Sequence, residues 1–176
     1  MSIKSTKVGP ELQFEIEQYY YHEAELLDDH RYGEWLELFS NDTHYWMPTR
    51  ANRLLREHDL ESSAEGQFAL FDDNKRTLGW RVKQMASLTH WAENPRSRTR
   101  HLISNVRIAP SKFEGEYEAK SNFICYRNRL SDEVDIWVGE RTDLLRRDQQ
   151  QELRIARRKI LLDQNVVLSK NLSVFF

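Results

Sequence analysis

The sequence is short of the residue that most often marks a metal or redox protein: its 176 residues include one cysteine, Cys125. A single thiol excludes an intrachain disulfide framework, a cysteine zinc finger and an iron–sulfur cluster held by this chain alone. Glycine and proline are also scarce, at six and four. No G-x-G-x-x-G, Walker loop or G-x-S-x-G occurs, so the common nucleotide-binding and nucleophile-elbow signatures are absent. Neither sign of charge dominates. The 26 basic and 28 acidic side chains leave a net charge of −2, which argues against a nucleic-acid binder. No apolar run approaches the roughly 20 residues that cross a bilayer. Met1 to Gly9 is polar and lacks the apolar stretch of a secretory signal, so a cytoplasmic location and no membrane partner are expected.

What is present is material for a ring-rich core: 39% hydrophobic and 11% aromatic residues. The length suits one domain over residues 1–176. A helix is predicted from Pro10 to Asp29, because Pro10 suits a first turn and Leu12, Ile16, Tyr19, Tyr20, Leu26 and Leu27 share a stripe that Glu23 interrupts. A second helix is expected over Tyr32–Phe39, a short strand over Thr43–Met47, and a third helix from Asp72 or Asp73, as its cap, to about Leu88. Period-two alternation then predicts strands at His101–Ala109, Glu116–Asn128, Val134–Leu145 and Glu152–Leu162. Their short connections require antiparallel neighbours. Helices first and strands afterwards predict an α+β fold, a curved antiparallel sheet wrapped on the N-terminal helices as a cone.

Chemistry-bearing residues are few. None of the six histidines forms a metal-binding pattern, and His90 and His101 have no carboxylate in register with them, so no metal site is expected. Cys125, in mid-strand without a nearby base, reads as a buried structural thiol. One constellation is sharper. Asp28 and Asp29 end the first helix, Tyr45 lies on the first strand and His101 begins the next. At the mouth of a cone, an acid, a phenol and an imidazole would support proton abstraction or dehydration. The competing reading makes them caps, core and strand-edge groups.

Charge is unevenly spread. Residues 11–39 carry nine acids against Arg31 alone, whereas residues 94–109 carry Arg96, Arg98, Arg100 and Arg107 and no acid. Arginine favours carboxylate recognition at interfaces. Arg96, Arg98 and Arg100 are therefore candidates for docking on a partner or a second copy, or for clamping the chain's own acidic helix. Trp46, Trp91, Phe175 and Phe176 are candidate interface anchors, and Leu168–Phe176 a candidate docking tail.

Several runs together carry a family resemblance. They are Glu23-Ala24-Glu25-Leu26-Leu27-Asp28-Asp29, Trp35-Leu36-Glu37-Leu38-Phe39 and Tyr45-Trp46-Met47-Pro48. Further on come Trp91-Ala92-Glu93-Asn94-Pro95-Arg96-Ser97-Arg98-Thr99-Arg100-His101, Tyr126-Arg127-Asn128-Arg129 and Val138-Gly139-Glu140-Arg141. With the ending Asn171-Leu172-Ser173-Val174-Phe175-Phe176, the chain resembles the small (beta) subunit of bacterial aromatic-ring-hydroxylating dioxygenases, in the biphenyl, cumene and polycyclic-aromatic branch. Asn94 stands where the family usually has a second proline.

The resemblance implies the cystatin-like cone of the nuclear-transport-factor and scytalone-dehydratase superfamily. It implies no catalytic residue, cofactor or metal on this chain. The Rieske two-iron cluster and a mononuclear Fe(II) would sit on an alpha subunit, which forms an α3β3 hexamer with a trimer of beta subunits. NADH would supply electrons through a reductase and ferredoxin for cis-dihydroxylation of the arene. The alternative is a stand-alone cone-fold lyase or isomerase using Asp28 or Asp29, Tyr45 and His101.

Overall fold

The structure is a computed structural model and describes residues 8–87 and 93–176. The expectations for His90 and Trp91 fall outside the described residues. Helix α1 spans Pro10–Asp28, with Pro10 in its first turn, and buries Ile16, Tyr20, Glu23, Ala24, Leu26 and Leu27. Helix α2 covers Tyr32–Glu37. It ends two residues earlier than the sequence pattern suggests, because Phe39 already pairs with Ile155 and opens strand β1, Phe39–Pro48.

The second departure is an extra strand. β2, Ala69–Asn74, pairs antiparallel with β1 and sets Trp46 against Asp72 and Tyr45 against Asp73. Asp72 or Asp73 was expected to cap helix α3, Lys75–Ala86; the cap is Asn74 instead. Its side chain accepts from the Arg76 and Thr77 amides at 3.0 and 3.1 Å, and its own amide donates to Thr77 Oγ1 at 3.0 Å. Acids have low strand propensity, so a six-residue strand containing two of them carries little pattern.

β3 (Arg98–Pro110), β4 (Glu116–Arg129), β5 (Glu133–Arg147) and β6 (Leu153–Leu162) follow as consecutive antiparallel neighbours. The sheet order is β2-β1-β6-β5-β4-β3, and only the β1–β6 pair is parallel. Strand alternation decides which side chains enter the cone. In β4 the buried set is Ala119, Ser121, Phe123, Cys125 and Arg127; in β5 it is Trp137, Gly139, Arg141, Asp143 and Leu145. Helix α1 lies along β3 and the three helices close the concave side, giving the α+β cone.

Gly139 has a steric reason within β5. A Cβ there would lie 2.4 Å from the Leu161 carbonyl oxygen, where the end of β6 crosses close to β5.

Candidate functional site

The interior of the cone is filled by the segment Asn171–Phe176. Phe175 stacks on Trp35 at 4.4 Å between ring centroids, and Phe176 packs against Phe123 and Trp137 at 5.3 and 5.8 Å. Burying rings of this size contributes about 1.5–3 kcal/mol each. Polar groups then fix the segment's position. Tyr45 Oη donates to the Phe176 carbonyl at 3.1 Å and accepts from the Phe176 amide at 2.9 Å. His101 Nε2 meets the Phe175 carbonyl at 3.0 Å. Arg127 Nη1 donates to Asn171 Oδ1 at 2.6 Å and Ser173 Oγ at 3.1 Å, and Ser173 donates to Glu93.

Beneath this segment lies a fully buried, charge-balanced quartet of Glu23, Arg141, Asp143 and Arg158. Strand register writes most of it: Arg158 faces Asp143 across β5–β6, and Arg141 faces Ser121 across β4–β5. Arg158 holds Asp143 through Nε and Nη2 at 2.9 and 2.7 Å, and Glu23 through Nη1 and Nη2 at 2.5 and 3.0 Å. Its Nη1 also donates to the Phe176 carbonyl at 2.9 Å. Glu23 further accepts from Trp35 Nε1 and Arg141 Nη1, both at 3.0 Å, and Asp143 accepts from Tyr20 Oη at 2.9 Å. Burial alone would push the Glu23 carboxyl upward, but the two guanidiniums outweigh it and hold it down at about 2. Glu23 was visible in the sequence as the break in an apolar stripe, and its partners explain it. Arg127 and Arg141 stand in runs that carry the resemblance but had no role assigned from sequence, although strand parity puts Arg127 on the same face as Cys125; Asp143 and Arg158 were not singled out.

Asp28, Tyr45 and His101, the residues of the lyase alternative, do come to one end of the cone, but as a lock on the tail. Asp28 Oδ1 lies 2.6 Å from His101 Nδ1, and Asp28 Oδ2 accepts from the His101 amide at 3.1 Å. Burial disfavours charge on the imidazole, and its hydrogen bonds and charge interactions with Asp28 and Cys125 overcome this, raising His101 to about 10. His101 is thus an imidazolium at neutral pH with both ring nitrogens donating, to Asp28 and to the Phe175 carbonyl. An imidazolium cannot serve as a base. Burial also raises the Tyr45 phenol well above its ordinary value. Asp29 is exposed beyond the end of α1 and does not join them.

The proposed interface residues divide between inside and outside. Trp46, Phe175 and Phe176 are buried within this chain. The Trp46 ring lies under Lys159, whose Nζ is 5.2 Å from its centroid. Arg96, Arg98 and Arg100 are exposed, with Arg100 also reaching Asp28 at 3.3 Å. Cys125 is buried and free.

The motifs that carry the resemblance thus supply the tail clamp: Glu23, Asp28, Trp35, Tyr45, His101, Arg127, Arg141 and the Asn171–Phe176 segment itself. A family profile described as the ring hydroxylating beta subunit matches residues 22–169. The chain belongs to this family. It is 51% identical over 174 residues to chlorobenzene dioxygenase subunit beta of Cupriavidus sp. (strain PS12), covering 98% of this chain and 93% of that protein. It is 49% identical to biphenyl 2,3-dioxygenase subunit beta of Rhodococcus jostii (strain RHA1) over the same shares. Among solved structures it superposes on a naphthalene 1,2-dioxygenase chain, from a complex with indole in the active site. The TM-score is 0.85 at 24% identity, over 98% of this chain and 89% of that one, which establishes the shared fold.

Proposed function

We propose that this chain, as one domain over residues 1–176, is the structural beta subunit of a terminal oxygenase that converts an aromatic hydrocarbon to a cis-dihydrodiol. The observation that carries this reading is the 51% identity, across 98% of the chain, to a subunit named for chlorobenzene dioxygenase. With the biphenyl relative, that name supports a monocyclic or bicyclic aromatic substrate. The filled cone supports a non-catalytic role, because the groups a lyase would use are engaged with backbone at Phe175 and Phe176.

The metal groups belong to the alpha subunit in this reading. A Rieske cluster requires two cysteines and two histidines, and this chain has one cysteine. Among the described residues no three His, Cys, Asp or Glu gather as a metal site. One cysteine does not fit the Rieske cluster, and the described residues offer no ligand set for the mononuclear Fe(II). The assembly is an α3β3 hexamer with a beta trimer, working in the cytoplasm with a reductase and ferredoxin that pass electrons from NADH. No helix is long and apolar enough to cross a membrane among the described residues.

Co-expression with a cognate alpha subunit tests the reading. Dihydrodiol formation is expected only when both chains are present, with the iron recovered in the alpha subunit. Stoichiometric iron in the isolated chain, or full dihydrodiol formation by the alpha subunit alone, would overturn it.

A further inference from the structure

The tail is joined to the cone as a ligand is joined to a receptor. The Asp163 amide donates to the Val138 carbonyl at 2.8 Å, and residues 164–176 make no backbone-to-backbone hydrogen bond among the described residues. The root of the tail is open to water, with Leu168 exposed at 90%, whereas Val174, Phe175 and Phe176 are buried. Side chains alone hold that buried end: rings around Phe175 and Phe176, and Tyr45, His101, Arg127 and Arg158 on its polar groups. A cleft of about 170 Å³, lined by Phe71, Arg81, Met85, Leu172 and Val174, runs beside the segment, so one flank of the tail meets open volume.

The groups that grip the tail are fixed by partners outside it. Arg158 is held by Glu23 and Asp143, and His101 by Asp28. Arg127 is held by Asp135 at 3.1 and 2.7 Å, and Trp35 by Glu23. Tyr45 Oη is the exception, since both its hydrogen bonds go to Phe176. A site whose groups are already oriented loses little freedom on binding, which is the condition for a preformed pocket.

The same contacts define what the pocket accepts. Trp35 stacks on one ring and Tyr32 meets it edge-on at 5.6 Å, while Phe123 and Trp137 enclose a second ring. Tyr45 Oη and Arg158 Nη1 converge on one acceptor oxygen, and His101 Nε2 reaches another. A bare hydrocarbon would cover the rings and leave these buried donors unpaired, which costs affinity. A ring that carries a carbonyl satisfies both halves.

We propose that the cone is a binding site for an aromatic ring bearing an acyl or amide oxygen, and that Phe175 and Phe176 occupy it as an exchangeable, tethered ligand. Tethering supplies an effective concentration in the millimolar range, so a free competitor at micromolar concentration leaves the wild-type tail in place. The inference goes beyond the oxygenase reading, and its test needs no alpha subunit.

Hydrogen exchange on the wild-type chain tests the exchangeable part. The Phe176 amide should exchange faster than the β4–β5 ladder amides, through opening of the tail without global unfolding. Tyr45→Phe should speed that exchange about tenfold and leave the ladder unchanged. Binding is read on the full chain carrying Phe175→Ser and Phe176→Ser, or Phe176→Ser alone if the pair does not fold. A synthetic hexapeptide of the tail sequence should raise the thermal midpoint of that variant by about 5 °C at saturation and leave the wild-type midpoint unchanged. N-acetylphenylalaninamide should bind the same variant about tenfold more tightly than toluene, which offers the ring without the oxygen. A Phe176 amide that exchanges only together with the ladder would overturn the proposal. So would a peptide that leaves the folded variant unchanged or shifts the wild type equally. Toluene binding as tightly as the amide would overturn it too, since the cone would then be a vacated hydrophobic space with no built polar site.

Discussion

Each face of this sheet carries exceptions to the usual distribution of polarity. The concave face, sealed by helices and the tail, carries Arg127, Arg141, Asp143 and Arg158, all almost fully buried. The convex face carries Leu102, Ile124, Val134, Ile136 and Val138 in the open. Each face is stable for a different reason. The buried charges cancel one another at hydrogen-bond distance, which offsets a desolvation cost that an isolated ion could not meet. The exposed aliphatics have no such internal remedy. Their favourable term arrives only when another surface excludes water from them. The concave face is thus complete within one chain, whereas the convex face leaves its aliphatic side chains exposed.

The largest effect should come from unbalancing the concave face. Arg158→Leu leaves Glu23 and Asp143 without their shared guanidinium and frees the Phe176 carbonyl. Breaking a buried pair in this way costs about 3–5 kcal/mol, and urea denaturation should show a chain that is barely folded. A midpoint close to wild type would mean that the quartet is not what makes the concave face self-sufficient. Phe176→Ala comes next, since removing a buried Phe ring typically costs about 3–5 kcal/mol and here leaves the quartet intact. Gly139→Ala should also destabilise, because its Cβ meets backbone rather than a movable side chain.

The charges of the concave face should also be legible in a pH profile. Glu23 is depressed to about 2 in the folded chain, so its contribution is present above the ordinary Glu value of about 4.3 and is lost as pH falls toward 2. His101 is raised to about 10, so its contribution is fully present below about 6.5 and disappears as pH rises through 10. Thermal midpoints measured across pH should fall at both ends. His101→Gln should remove the alkaline fall and keep the acid one. An alkaline limb unchanged in that variant would show that His101 does not hold the tail through its charge.

The fold was legible where pattern is strongest: α1, the long strands and their antiparallel order follow from periodicity and loop length. The strand β2 was hidden by its two aspartates. The parallel β1–β6 pairing joins segments more than a hundred residues apart, which no local pattern encodes. At the site, the sequence left Asp28, Tyr45 and His101 open between a lyase constellation and a structural one; the three come to one end of the cone, and the partner that consumes their hydrogen bonds there is backbone. A carbonyl has no letter in a sequence. Phe175 and Phe176 were legible as residues that must be covered, but not as covered by their own cone.

The smallest effect should be on the convex face. Val134→Thr keeps a β-branched shape and adds a hydroxyl that faces water, so nothing buried is left unpaired. Monomer stability in urea should change by no more than about 0.5 kcal/mol, as for surface positions generally. The same exchange at a packed core position would strand a hydroxyl and cost about 1–3 kcal/mol. If Val134→Thr under dilute, monomeric conditions were as damaging as a core change, the convex face would already be covered within the chain, and the contrast between the faces would fail.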